Sequence, residues 1–460
     1  MRNNRIVVIL ALILVSTTAF ANVTLPNIFS DNMVLQRNSE VKIWGWANPQ
    51  EEIGVTPSWN NQTYTVKTTN QAKWEIVIPT PKEGGPYTIS LKGYNEVILK
   101  NILIGEVWVC SGQSNMEMSA SWGIENGDEA VRNATNPNIR LFLVSKSTAT
   151  APQNNLFGSW TTCTPETMKY FSAVGYFFGK RLTEELKNVP IGLISSNWGG
   201  TPAEIWTPAD VIQNDPVLLE AAKTRKEESY GPNQPGRAFN AMISPMIGFK
   251  IAGVLWYQGE SNVGSTVYDK TLSALITSWR KLWEYDFPFY FVQIAPYKYG
   301  EDHFSGSIIR DAQRKVLQEV PNVGMVVTSD ISPIDDIHPK DKKSVGIRLA
   351  NLALTNTYKV NAALVNGPLF KGIKIDKNKV VVAFDNNEGL YFKDKKADLF
   401  EIAGADNVFY KATALIKNNE VVLQSAQVKK PLKVRYAWKN TDQATLFNKA
   451  NLPASSFIVE

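Results

Sequence analysis

The apolar run Val107-Trp108-Val109-Cys110 breaks abruptly at Ser111-Gly112-Gln113-Ser114. A short apolar stretch closed by a small polar turn reads as a buried strand. It would deliver a serine to the carboxyl edge of a sheet, where open α/β folds hold their ligands. Gly112 lets the chain bend tightly and lets a substrate approach the backbone. The pattern recurs between about residues 101 and 360. Strand candidates at 106–110, 191–195, 253–257, 289–294 and 324–328 alternate with helical spacings. Phe171, Val174, Phe178, Leu182 and Leu186 fall three to four apart, as do Tyr268, Leu272, Leu275, Trp279 and Leu282, and Val345, Leu349 and Leu352. Such alternation predicts an α/β fold with a parallel sheet covered on both faces.

The flanks have another rhythm. Residues 22–100 carry short period-two runs at 41–46, 64–67, 74–78 and 87–91, separated by turn residues, and predict a small antiparallel β-sandwich. Short strands return in 361–460, at 373–375, 380–384, 399–402, 421–423 and 432–438, as a C-terminal β-rich domain. Residues 1–21 join a basic start, an apolar run of about ten residues and Ala19-Phe20-Ala21, which predicts a cleaved signal peptide. That run is too short to span a bilayer of ~30 Å. Export follows, to the periplasm or beyond, with no lipid-anchor cysteine after Ala21. The expected division is therefore leader 1–21, β-sandwich 22–100, catalytic domain 101–360 and β-rich domain 361–460.

A formal charge of +5, spread along the chain, does not argue for nucleic acid. Cys110 lies in an apolar strand, which favours two buried free thiols over a disulfide to Cys163. Two Cys and two His, scattered, argue against a zinc site. The scarcity of histidine narrows the chemistry. His303 reads as a solvated surface residue. His338, in Asp335-Asp336-Ile337-His338-Pro339, follows the 324–328 strand and shares the carboxyl edge with Ser114. A serine paired with an imidazole is an activated nucleophile, and a carboxylate three residues ahead can reach Nδ1. Two further polar strand ends join them: Gln258-Gly259-Glu260-Ser261-Asn262 and Asn197-Trp198-Gly199-Gly200-Thr201. A glutamine amide and a glycine N–H are donors suited to an oxyanion, and Glu260 reads as ordering its loop. Together these are the parts of an acyl-transfer hydrolase.

Several stretches carry a wider resemblance: residues 25–37, 105–116, 197–204, 239–245, 256–262 and 336–340, with Arg435-Tyr436-Ala437-Trp438 and 452–457 near the end. Over nearly all of the chain beyond the leader, they resemble the sialate O-acetylesterase family of SGNH-type serine esterases. The resemblance implies a flavodoxin-like SGNH-hydrolase core with Ser114 as nucleophile and His338 as base. It implies an oxyanion hole built from the Ser114 N–H, Gly200 and Gln258, and removal of O-acetyl groups from sugars, typically sialic acid, without metal or cofactor. The usual spacing of the acid selects Asp335, with Asp336 and Asp330 as alternatives, although some relatives work with a Ser–His pair alone. Arg237 is a candidate, by position only, to pair a sugar carboxylate, and Asn262 is a second substrate-binding candidate. The motifs report acyl chemistry rather than the sugar, so xylan or another acetylated glycan is the rival substrate. A non-catalytic carbohydrate-binding protein is the remote one. No span of a membrane is expected, and the oligomeric state stays open.

Overall fold

The computed structural model describes residues 22–226, 228–300, 302–360 and 364–459. The leader reading falls on 1–21, outside the described residues. The strands that organise the molecule are β1 (Glu96–Gly112), β2 (Asn136–Leu143), β3 (Trp160–Cys163), β4 (Ile191–Asn197), β5 (Gly253–Tyr257), β6 (Phe289–Val292) and β7 (Val323–Val326). They lie in the order β7-β6-β5-β1-β4-β2-β3. All neighbours run parallel except β3, which turns back along β2. The chain is thus a mixed α/β protein with a mixed central sheet.

Four long helices cover the sheet: α1 (Ala173–Glu185), α2 (Tyr268–Trp283), α3 (Ser305–Glu319) and α4 (Lys342–Asn356). Alternation along β1 divides the core. Val107 and Val109 point into one apolar cluster with Leu272, Trp279 and Ile309 of α2 and α3. Trp108 and Cys110 point into the other, with Val174, Phe178, Leu349 and Ala353 of α1 and α4. Both faces are buried, which is why these strands read as continuous apolar runs. Cys110 and Cys163 are buried free thiols. No helix among the described residues is long and apolar enough to cross a membrane.

Strand β1 runs for 17 residues. Its first half pairs antiparallel with Gly84–Lys92 and parallel with Val34–Gln36, and its second half is the centre of the core sheet. The expected join at residues 100 and 101 lies inside this one strand. The N-terminal strands Glu40–Trp46 and Lys73–Pro79 form a separate antiparallel pair. Residues beyond 364 form two four-stranded sheets over their own apolar core.

Three elements of this architecture escape the sequence patterns. The buried side of α3 carries Arg310, Asp311, Gln313 and Arg314, so its apolar stripe is thin. β2 opens on Asn136-Pro137-Asn138, residues that read as a turn, and β3 is only four residues long.

Candidate active site

Ser114 is the first residue of a single helical turn, Ser114–Glu117, that follows β1 directly. The bend before it needs glycine. Gly112 has φ 135°, and a Cβ there would lie 2.2 Å from the Tyr257 carbonyl oxygen. His338 comes from the loop between β7 and α4, and its Nε2 lies 2.8 Å from Ser114 Oγ. Burial lowers the His338 pKa, and the nearby Lys342 cation lowers it further, against a smaller opposing pull from Asp336. The imidazole is thereby held neutral near pH 7, the state able to accept the serine proton.

A buried polar bridge ties the serine turn to the histidine loop. Asn115 Nδ2 donates to Glu260 Oε1 at 2.5 Å and to the Ile337 carbonyl at 3.0 Å. Asn115 Oδ1 accepts from Lys342 Nζ at 2.5 Å. Asn115 and Lys342 have no exposed surface. Burial pushes the Glu260 carboxyl up and drives Lys342 down to about 7. Ahead of the serine, the Gly199–Gly200 turn is fixed from below. The Gly199 N–H donates to Glu117 Oε2 at 2.6 Å, and Lys146 pairs with Glu117 Oε1 at 2.7 Å. Gly199 packs so close that a Cβ would sit 3.3 Å from Ser114 Cβ. Gly200 adopts φ 73°, and the ring of Tyr230 lies against it. The Gly200 N–H donates to no described protein acceptor. Trp122 meets His338 edge to face, with centroids 6.3 Å apart.

The expected carboxylate partner is not there. Asp335 is exposed and makes no hydrogen bond with the ring. Asp336 turns its Oδ1 back to accept the His338 backbone N–H at 2.8 Å, an Asx turn that spends the side chain on the main chain. Asp330 is held by Arg348 at 2.6 and 2.8 Å. Among the described residues, Ser114 and His338 therefore form a pair without an acid on Nδ1. Gln258 also departs from expectation. It is fully buried, its Nε2 faces Asn262 Oδ1, Gln113 Oε1 and the Thr201 carbonyl, and its Oε1 accepts from Tyr268. An amide so fully engaged has no N–H left for an oxyanion. Asn262 is likewise buried and spent on Glu204, Gln258 and the Ala203 N–H. The Arg237 guanidinium is occupied by Gln234 Oε1. Arg225 and Lys226 instead line the cavity of about 300 Å³ that Gly200, Tyr230 and Ser261 also border.

The sequence profile of the carbohydrate esterases called sialic acid-specific acetylesterases matches residues 104–355. The chain belongs to that family. Human sialate O-acetylesterase is 31% identical, over 81% of this chain and 78% of its own length. The mouse sialate O-acetylesterase is 28% identical over 99% of this chain and 97% of its own. The crystal structure of a carbohydrate acetylesterase from Xanthomonas citri superposes with a TM-score of 0.87 at 34% identity, covering 95% of this chain and all of that one. The protein is accordingly a carboxylic ester hydrolase. In this esterase the groups that sequence reasoning passed over are Asn115, Glu117 and Lys342. Lys342 sits in Lys340-Asp341-Lys342-Lys343, which looks like a solvated charge run until α4 starts there and buries it.

Proposed function

We propose that this esterase removes O-acetyl groups from sialic acids through an acetyl-enzyme formed on Ser114. The carrying observation is the 2.8 Å contact between Ser114 Oγ and a neutral-leaning His338 Nε2. His338 takes the serine proton as Oγ attacks the acetyl carbonyl. The N–H groups of Ser114 and Gly200 receive the charge that develops on the carbonyl oxygen. The sugar hydroxyl leaves with the proton from His338, and water, activated by the same imidazole, releases acetate. With no described carboxylate on Nδ1, the imidazole is oriented by the Asn115 bridge and by Trp122.

The order β4-β1-β5-β6-β7 is the flavodoxin-like 2-1-3-4-5 pattern, which supports reading the central unit as an SGNH-hydrolase core. A division into regions 22–100, 101–360 and 361–460, the first two sharing strand β1, and export through the leader complete this reading. The Xanthomonas citri relative is named for carbohydrate rather than sialic acid, and this supports xylan or another acetylated glycan as the second substrate reading.

Acetate release from O-acetylated sialic acid and from acetylated xylan, by wild type and Ser114→Ala, tests the proposal. The expected result is serine-dependent release with sialic acid strongly preferred. Serine-dependent release from xylan alone would transfer the mechanism to the other sugar. Equal release by both proteins would remove Ser114 as nucleophile.

A further inference from the structure

A groove of about 520 Å³, larger than the cavity beside Gly200, is lined by neither Ser114 nor His338. One wall is the outer face of the N-terminal strand pair, Glu40–Trp46 and Lys73–Pro79. Trp44 and Trp46 stand two apart on the first strand, so they share that face about 7 Å from each other. Lys73 lies opposite Trp46 in the ladder and points the same way. Phe29 backs the Trp44 ring edge-on, with centroids 4.5 Å apart. The half-buried Trp46 ring has no hydrogen-bond or ring partner among the described residues. The other wall belongs to the core: Pro152, Gln153 and Asn154 of the loop after β2, and Ser244. It is preformed, because the Gln153 N–H donates to the Asn240 carbonyl at 2.8 Å and Asn240 Nδ2 donates to the Ala149 carbonyl at 3.2 Å. The same loop reaches the catalytic turn. Lys146, which pairs with Glu117 below Gly199, stands six residues before Pro152, so at most about 22 Å of chain separates the two places.

We infer that this groove holds the sugar chain to which the acetylated ring is attached, as a binding site separate from the serine. The inference rests on the acetyl-sugar reading of Ser114 proposed above. A sugar ring presents an apolar C–H face and a rim of hydroxyls. Two indole faces beside the Lys73 ammonium, the Asn154 amide and the Ser244 hydroxyl answer both. An apolar peptide laid in the same groove would cover that amide and that hydroxyl without giving them partners.

Trp46→Ala in the full chain tests this. The readout is kcat/KM for an O-acetylated oligosaccharide divided by kcat/KM for the matching O-acetylated monosaccharide, measured in a sialic acid series and in a xylose series. The expected result is a fall in that ratio of about twofold to tenfold, carried by KM, with Trp46→Phe in between. A purely structural role would lower Tm and leave the ratio in place. A change of less than about twofold in both series overturns the inference, and so does a variant that alters the oligomeric state instead, which would give the groove to a second copy of the chain. Acetate release that survives Ser114→Ala would remove the serine mechanism, a failure the ratio does not imitate. Should Trp46→Ala not fold, oxidation of the wild type by N-bromosuccinimide, mapped by mass spectrometry, gives a second readout. De-acetylated oligosaccharide should slow oxidation at Trp46, and equal rates with and without it would overturn the inference.

Discussion

Arg310 and Lys342 are both cations buried to within 1% of full enclosure, yet the protein treats them oppositely. Arg310, on α3, donates to Ser456 Oγ, Ser307 Oγ and the carbonyls of Asn440, Ala437 and Lys439. Its charge is spread over neutral dipoles, and the contact fastens the C-terminal β region to the helix. Burial lowers its pKa only to about 10, where it stays charged. Among the described residues, the Lys342 ammonium has one hydrogen-bond acceptor, Asn115 Oδ1, with the Tyr257 ring 5.3 Å away. It also stands in the first turn of α4, where the helix dipole disfavours a cation. Glu260, Asp336 and Asp341 are the acidic groups that act on it, and its pKa falls to about 7. A fully satisfied buried cation is a fastener. A sparsely satisfied one, beside a catalytic imidazole, keeps its field available to that imidazole.

The sharpest way to break this contrast is to remove each charge by substitution with methionine. Arg310→Met strands five acceptors, three of them carbonyls. It should cost at least about 3 kcal/mol in urea unfolding, with kcat of the surviving fold nearly unchanged. A loss below about 1 kcal/mol would mean that water replaces the guanidinium easily. Lys342→Met should instead show itself in the pH profile. The Lys342 cation disfavours the imidazolium, so its removal raises the His338 pKa. The acid limb of kcat/KM, where activity disappears as the base becomes protonated, then moves to higher pH by up to about one unit. A limb that stays in place would make Lys342 a structural tether only. The smallest effect belongs to Asp335→Asn. An exposed carboxylate with no bond to the ring should leave kcat within about twofold of wild type, and a collapse in rate would restore it as the acid of a triad.

The same comparison explains what was legible in the chain. Strand ends with glycine turns and a lone plausible histidine exposed Ser114 and His338, because backbone geometry and residue scarcity are both written locally. The direction in which a side chain spends its hydrogen bonds is not. Asp336 and Asp335 differ by one position, and an Asx turn commits the first to the backbone while the second faces water. Gln258 is a glutamine at a polar strand end. Only its bonds to Gln113, Asn262 and Tyr268 show that its amide is consumed internally. Lys342 and the polar buried face of α3 escaped for a related reason. Both depend on tertiary partners that are far away in sequence, such as Asn115 and Asn440.

Strand β1 carries a further consequence. Its first half is the shared edge of the N-terminal sheet, and its second half ends at the nucleophile. The N-terminal strands are thus not an appendage that evolution or truncation could trim at a linker. Cutting them away would leave the leading half of the strand without its ladder on either side, and that strand is the rod on which the serine is mounted. Residues 22–95 therefore hold the reacting oxygen in register from a distance, as the buried end of a beam holds its free end.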